Sequence, residues 1–157
     1  MLAVTYDVDP GDPSRMLRGL FDRDGDLRLD SAEQAKLTKY LEDTATLWLK
    51  LELGGDPVVL RRKSRETSPL DLPVGSSQTI GISLVYTASV TGPLGRVRLT
   101  DRDKDARIEV PVVVDVGPGL SIQSANQGEW HPRLRQIHRV VLDAKLDLSL
   151  DVRTSAT

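Results

Sequence analysis

The sequence predicts a mainly β chain, an antiparallel β-sandwich of about eight strands with a helix–loop–helix inserted after the first strand. Three observations carry this expectation. Apolar and polar residues alternate along run after run, giving each strand one apolar and one wet face, as in antiparallel sheets rather than in strands buried on both sides. Short turns rich in Gly, Pro and Asp separate the runs. Between the first run and the second, over residues 10–46, the apolar spacing becomes that of a helix.

In chain order, "LAVTYDVD" puts Leu2, Val4, Tyr6 and Val8 on one face. Asp12 can then cap a helix with Pro13 at its first position, and Met16, Leu17, Leu20 and Phe21 form its apolar stripe. A second helix runs from Ser31 to about Thr46, with Leu37, Tyr40, Leu41 and Thr44 on one face and Glu33, Lys36 and Lys39 more exposed. "LWLKLEL" aligns Leu47, Leu49, Leu51 and Leu53 against Trp48, Lys50 and Glu52, and "GGDP" (54–57) turns it into "VVLRR". The stretch 63–78, "KSRETSPLDLPVGSSQ", is expected as a long, mobile loop. "IGISLVYTASV" aligns Ile80, Ile82, Leu84, Tyr86, Ala88 and Val90, and "TGPLG" (91–95) and "DRDKDA" (101–106) are turns. "RIEVPVVVDV" aligns Ile108, Val110, Val112, Val114 and Val116; Pro111 lacks an N–H and marks an edge or a bulge, and "GPG" (117–119) ends this strand. The last strand aligns Val140, Leu142, Ala144, Leu146, Leu148, Leu150 and Val152. The expected organisation is one domain, 1–157, with the helical insertion at about 12–46 and the sandwich formed by 1–9 plus 47–154.

Composition narrows the function. A chain of 157 residues can bury a core without staples, and with no cysteine it has neither disulfides nor thiolate metal sites. Aromatic residues are 4% of the chain, so the core must be mostly Leu, Val and Ile. A net charge of -2 gives no support for nucleic-acid binding. No stretch reaches the ~20 apolar residues of a transmembrane segment. "MLAVTYDVDP" carries no signal-peptide pattern, which is compatible with an export signal removed ahead of it.

Chemistry concentrates between the two predicted helices, in "DRDGDLRLDSAE" (22–33). Calcium takes six to eight hard oxygen ligands at about 2.3–2.6 Å in a flexible shell. Alternating residues on a tight loop can turn successive carboxylates inward, and Glu33 on the outgoing helix can close the shell with both oxygens. Five carboxylates in this loop repel one another without a cation.

"LFDRDGDLRLDSAE" resembles an EF-hand, a helix–loop–helix calcium site. The resemblance implies ligands from Asp22, Asp24 and Asp26 at loop positions one, three and five. It also implies the backbone carbonyl of Arg28 at seven, Asp30 directly or through water at nine, and Glu33 as the bidentate ligand at twelve. Leu29 is the usual apolar plug, and Phe21 precedes the loop as an aromatic often does in this family. One residue departs from the pattern. Position six, normally Gly with positive φ, is Leu27, and a Gly stands two places earlier at Gly25. The left-handed strain of roughly 1–2 kcal/mol should weaken binding without abolishing it. EF-hands usually pair, and this chain shows one. Strands on both sides tether it, so it is expected to pack on the sandwich rather than dimerise, with a structural or modulatory ion.

Other groupings carry less. Asp101, Asp103 and Asp105 repeat the carboxylate spacing, but Val112 stands where the closing carboxylate should be, so a charged hairpin turn outweighs a weak second site. His131 and His138 fit no zinc spacing, and Trp130 is expected as a loop residue covering a core edge. Arg61, Arg62, Lys63 and Arg65 are a solvated loop or an edge-strand guard before they are a site for an anionic partner. No nucleophile–base motif is present, so the chain is not expected to be an enzyme. Segment order and "LFDRDGD" also resemble the extracytoplasmic domains of bacterial nickel/cobalt permease-type membrane proteins. That resemblance implies a periplasmic or secreted location and a protein or membrane-protein partner. The rival reading is a protein- or glycan-binding adhesion module whose loop holds no metal.

Overall fold

The computed structural model describes residues 1–47, 49–89, 95–101, 112–115, 119–139 and 147–154. In order, these form β1 (Leu2–Val8), α1 (Asp12–Phe21), α2 (Ser31–Thr46), β2 (Leu49–Leu53), β3 (Asp56–Val58), β4 (Arg61–Thr67), β5 (Ile80–Thr87), β6 (Arg96–Asp101), β7 (Val112–Asp115), β8 (Leu120–Ala125), β9 (Glu129–His131), β10 (Gln136–Arg139) and β11 (Asp147–Thr154). The chain is mainly β, with a six-stranded sheet in the order β4-β5-β1-β7-β10-β9 and a five-stranded sheet in the order β3-β2-β6-β11-β8. The ladders are antiparallel: Leu2 of β1 stands opposite Val114 of β7, Leu51 of β2 opposite Leu99 of β6, and Leu150 of β11 opposite Val97 of β6.

Two compact units emerge, one comprising Met1–Val4, Trp48–Ser64 and Val85–Thr157, the other Thr5–Leu47 and Arg65–Leu84. Within the first, Leu2, Tyr86 and Val114 of the six-stranded sheet and Leu51, Leu99 and Leu148 of the five-stranded sheet line one apolar cavity of about 300 Å³. The alternation explains which side chains face it: Leu148, Leu150 and Val152 are buried on one side of β11. Within the second unit, Leu17, Leu29, Leu37, Leu41, Ala45, Leu70, Ile80, Ile82 and Leu84 are buried.

Several expectations are corrected. Leu47 is not a strand residue: it caps α2, its N–H bonded to the Asp43 carbonyl, and its side chain is exposed. Residues 63–67, expected in the loop, belong to a strand that begins at Arg61; β4 (Arg61–Thr67) ends the six-stranded sheet with all its side chains exposed, which fits the edge-strand reading of its charged residues. Gly11, not Asp12, is the N-cap of α1; its φ of 89° suits only glycine, and Asp12 becomes the first helical residue and pairs with Arg15. The buried face of α1 is Ser14, Leu17 and Arg18, whereas Met16 and Leu20 are exposed. Ser14 owes its burial to its hydroxyl, which donates to the Asp9 carbonyl at 2.8 Å. On α2 the buried line is Glu33, Leu37, Leu41 and Ala45, spaced by four, with Tyr40 exposed and its ring on Phe21 (centroids 5.5 Å apart). Trp130 lies in β9, not in a loop, and is exposed. Asp101, expected to open a turn, ends β6, whereas Trp48, Val90, residues 91–94 and 102–106 of the two expected turns, Ile108, Val110, Pro111, Val116 and the 140–146 part of the last strand lie outside the described residues.

The two helix faces give unequal sensitivities. Leu37→Ala should lose about 2–5 kcal/mol of unfolding free energy in urea. Leu20→Ala, although equally apolar, should stay within about 0.5 kcal/mol of the parent.

Candidate metal centre

The acidic loop begins where α1 stops. The Asp22 N–H still bonds to the Arg18 carbonyl, and the chain then turns through two left-handed residues, Gly25 (φ 73°) and Leu27 (φ 67°). Position six therefore takes the conformation that an EF-hand loop asks of its usual glycine, here with a leucine whose side chain escapes into solvent. Carboxylates hold these turns. Asp22 accepts from the N–H groups of Gly25 (3.0 Å) and Leu27 (3.1 Å), Asp24 from Asp26 (3.1 Å), and Asp26 from Arg28 (2.8 Å).

The exit is a capping box. Asp30 accepts from the Glu33 N–H at 2.8 Å while Glu33 accepts from the Asp30 N–H at 3.0 Å, so two orphan donors at the start of α2 are satisfied together. The other Glu33 oxygen accepts from the Arg23 N–H at 2.6 Å. This double tie explains why Glu33 is 5% exposed rather than on the wet side of the helix. Leu29, expected as the plug, is 4% exposed.

Among the described residues, Asp22, Asp24 and Glu33 form the one acidic or histidine group able to hold a cation, each offering an oxygen within 4.8 Å of the others. A shell of ligands at about 2.3–2.6 Å from one ion spans such a spacing. The donors are all hard oxygens, which suits calcium or magnesium over softer metals. Asp26 and Asp30 are turned to backbone N–H groups of the same loop, outside this group of three. A carboxylate has about four lone-pair sites, so a hydrogen-bonded oxygen keeps capacity for a cation.

Electrostatics records the crowding. The Asp26 N–H draws the Asp24 carboxyl down, but lost hydration, the charges of Asp26 and Glu33 and a hydrogen bond to Asp22 together lift it above its ordinary value.

Of the weaker groupings, Asp103 and Asp105 lie outside the described residues. His131 and His138 are neighbours: the β9–β10 pairing sets His131 opposite Gln136, and the two ring centroids lie 4.3 Å apart with the planes tilted by 44°. The His138 Nε2 lies 2.8 Å from the Gln136 side-chain oxygen, which accounts for it without a metal. Arg61, Arg62, Lys63 and Arg65 are all exposed on β4, and Arg65 pairs with Glu42 at 2.8 Å. The capping box was readable as D-x-x-E; Arg18, set four residues after Ser14 on the inner face of α1, was not singled out by any motif. No helix of the described residues is long and apolar enough to cross a membrane. Comparison of the chain with protein-family models, with curated proteins and with solved structures finds no match.

Removing one of the crowded charges should have two effects of opposite sign. A raised folded pKa means that ionised Asp24 opposes folding at neutral pH and that this penalty fades as pH falls through the folded value. Asp24→Asn should therefore melt higher than the parent in chelator at pH 7, and should bind calcium more weakly, as read by calorimetry.

Proposed function

We propose that this chain is a non-catalytic calcium-binding module, a β-sandwich carrying a single EF-hand. The observation that carries the reading is the convergence of Asp22, Asp24 and Glu33 in a loop whose sixth residue is left-handed, between two helices. Asp22, Asp24 and Glu33 would hold the ion directly. Asp26, Asp30 and the Arg28 carbonyl would complete the shell as the loop closes. The ion would supply charge compensation: it offsets carboxylate repulsion and fixes the angle between α1 and α2 through ligands at both ends of the loop.

The strained sixth position sets the expected range. A loop whose bound form needs Leu27 left-handed gives up part of its binding energy, which suits the roughly 10⁻⁴–10⁻³ M affinities of extracellular modules. An extracytoplasmic location, facing millimolar calcium, is part of the same proposal.

Calorimetric titration of chelator-treated protein with calcium is the direct test. The expected result is one site in the parent, weakened at least about tenfold in Glu33→Gln, which keeps the size of the side chain and removes its charge. Absence of heat in the parent, with no rise in melting temperature at millimolar calcium, would reject the reading. Leu27→Gly should tighten binding by up to about tenfold, since glycine takes positive φ without the steric penalty; unchanged or weaker affinity would show that the bound loop does not use this backbone.

A further inference from the structure

Residues 68–79, which join β4 to β5, have no strand or helix of their own, yet they lie fastened along the helix pair. The Val74 N–H donates to the Leu27 carbonyl (3.0 Å), and the Gly11 N–H donates to the Ser77 carbonyl (2.7 Å). Arg18 Nη1 donates to the carbonyls of Ser76 (2.9 Å) and Gln78 (2.8 Å). The segment has an inner and an outer side. Leu70 is buried and Leu72 and Val74 are half-buried, while Asp71, Pro73 and Gly75 are exposed. A methyl Cγ of Val74 sits over Gly19 of α1.

Two features make this fastening conditional. The first is the Leu27 residue, shared between the acidic loop and the segment. Its N–H is held by Asp22, one of the converging carboxylates, and its carbonyl is held by Val74. A leucine at φ 67° is held there against its own preference, so whatever fixes Asp22 also fixes the acceptor for Val74. The second is Arg18. Its side chain is fully buried, but Nε and Nη2 have no hydrogen-bond partner. Buried unpaired donors favour any state that returns them to water. The segment is thus docked by bonds that need the loop in one shape, against a cation that gains hydration when the segment lifts.

We propose that the 68–79 segment is the output of the ion site: with the ion bound it stays latched on α1 and the loop, and on ion loss it lifts and uncovers Leu70, Leu72 and Val74. This rests on the calcium reading above. Without a cation, repulsion among Asp22, Asp24 and Glu33 spreads the loop, Leu27 relaxes from its left-handed form, and its carbonyl leaves Val74. Linkage requires the reverse effect as well: a change that weakens the latch must weaken calcium binding by the same factor, though no ligand is touched.

Amide hydrogen exchange of the full chain, in calcium and in chelator, reads the latch, and calorimetry reads binding separately. Calcium should slow exchange across 70–78 at least about tenfold in the parent and leave it unchanged in Glu33→Gln. Two variants test the linkage. Arg18→Met removes the clamp on Ser76 and Gln78. Val74→Pro removes the donor to Leu27 at the second position of the Pro73–Ser76 turn, where proline fits, so the fold survives even if Arg18→Met does not. Each should lower calcium affinity about fivefold or more. If calcium binds but exchange in 70–78 is the same with and without it, or if Val74→Pro binds as tightly as the parent, the latch is wrong and the ion site stands. If the parent binds no calcium, both fall.

Discussion

Mutual repulsion among Asp22, Asp24 and Glu33 is the constraint around which the helical unit is organised. These carboxylates are drawn within 4.8 Å of one another by backbone N–H groups, not by cationic side chains. That choice matters. A neighbouring lysine or arginine would compensate the charge with a full positive charge. Backbone donors fix where each oxygen sits but supply only partial charges, so the three carboxylates stay crowded and only partly compensated. The raised Asp24 carboxyl is the local sign of that crowding. The contrast is Asp147, whose bidentate bond to Arg98 on neighbouring strands holds its carboxyl below the ordinary value.

From the loop the constraint spreads in two directions. Toward α2, Glu33 serves both as a converging carboxylate and as half of the capping box, so the start of the helix and the floor of the site are one structure. Below it, Leu37, Leu41 and Ala45 continue the same line at helical spacing, which ties site geometry to core packing. Toward 68–79, Leu27 carries the constraint through its carbonyl to Val74. The helices are short, ten residues and sixteen, and helices of such length are marginal alone in water. The same unit also buries the apolar side chains of Leu70, Ile80, Ile82 and Leu84 from beyond the insertion.

The sequence showed these features unevenly, for physical reasons. Period-two alternation works where one face is dry, so β5 and β11 could be read residue by residue: Ile80, Ile82 and Leu84, then Leu148, Leu150 and Val152. It fails where a strand is wet on both faces, as in β4, or only three residues long, as in β3 and β9. The converging carboxylates could be read because ligand spacing follows from local chain geometry. The inner face of α1 could not. Pattern reading assigns apolar residues to the inside, but here a serine and an arginine are inside because their polar atoms find backbone carbonyls, while Met16 and Leu20 stay outside. The partners of Arg18 are about sixty positions away, and no spacing rule connects them.

The burial of Arg18 is the step that makes the unit more than a rigid bracket. A methionine there would satisfy the same cavity with no donors to disappoint, and the segment would rest on it by apolar contact alone. An arginine instead makes its bonds to two carbonyls of one segment, Ser76 and Gln78, and leaves two nitrogens unpaired. Burying a charge without a counter-charge is tolerated only where the surrounding structure holds it. What holds it is the docked segment, and the segment docks on a carbonyl whose orientation is set by a strained leucine and an acidic ligand. The chain of links runs from Arg18 through the segment and Leu27 to Asp22, one of the three crowded carboxylates.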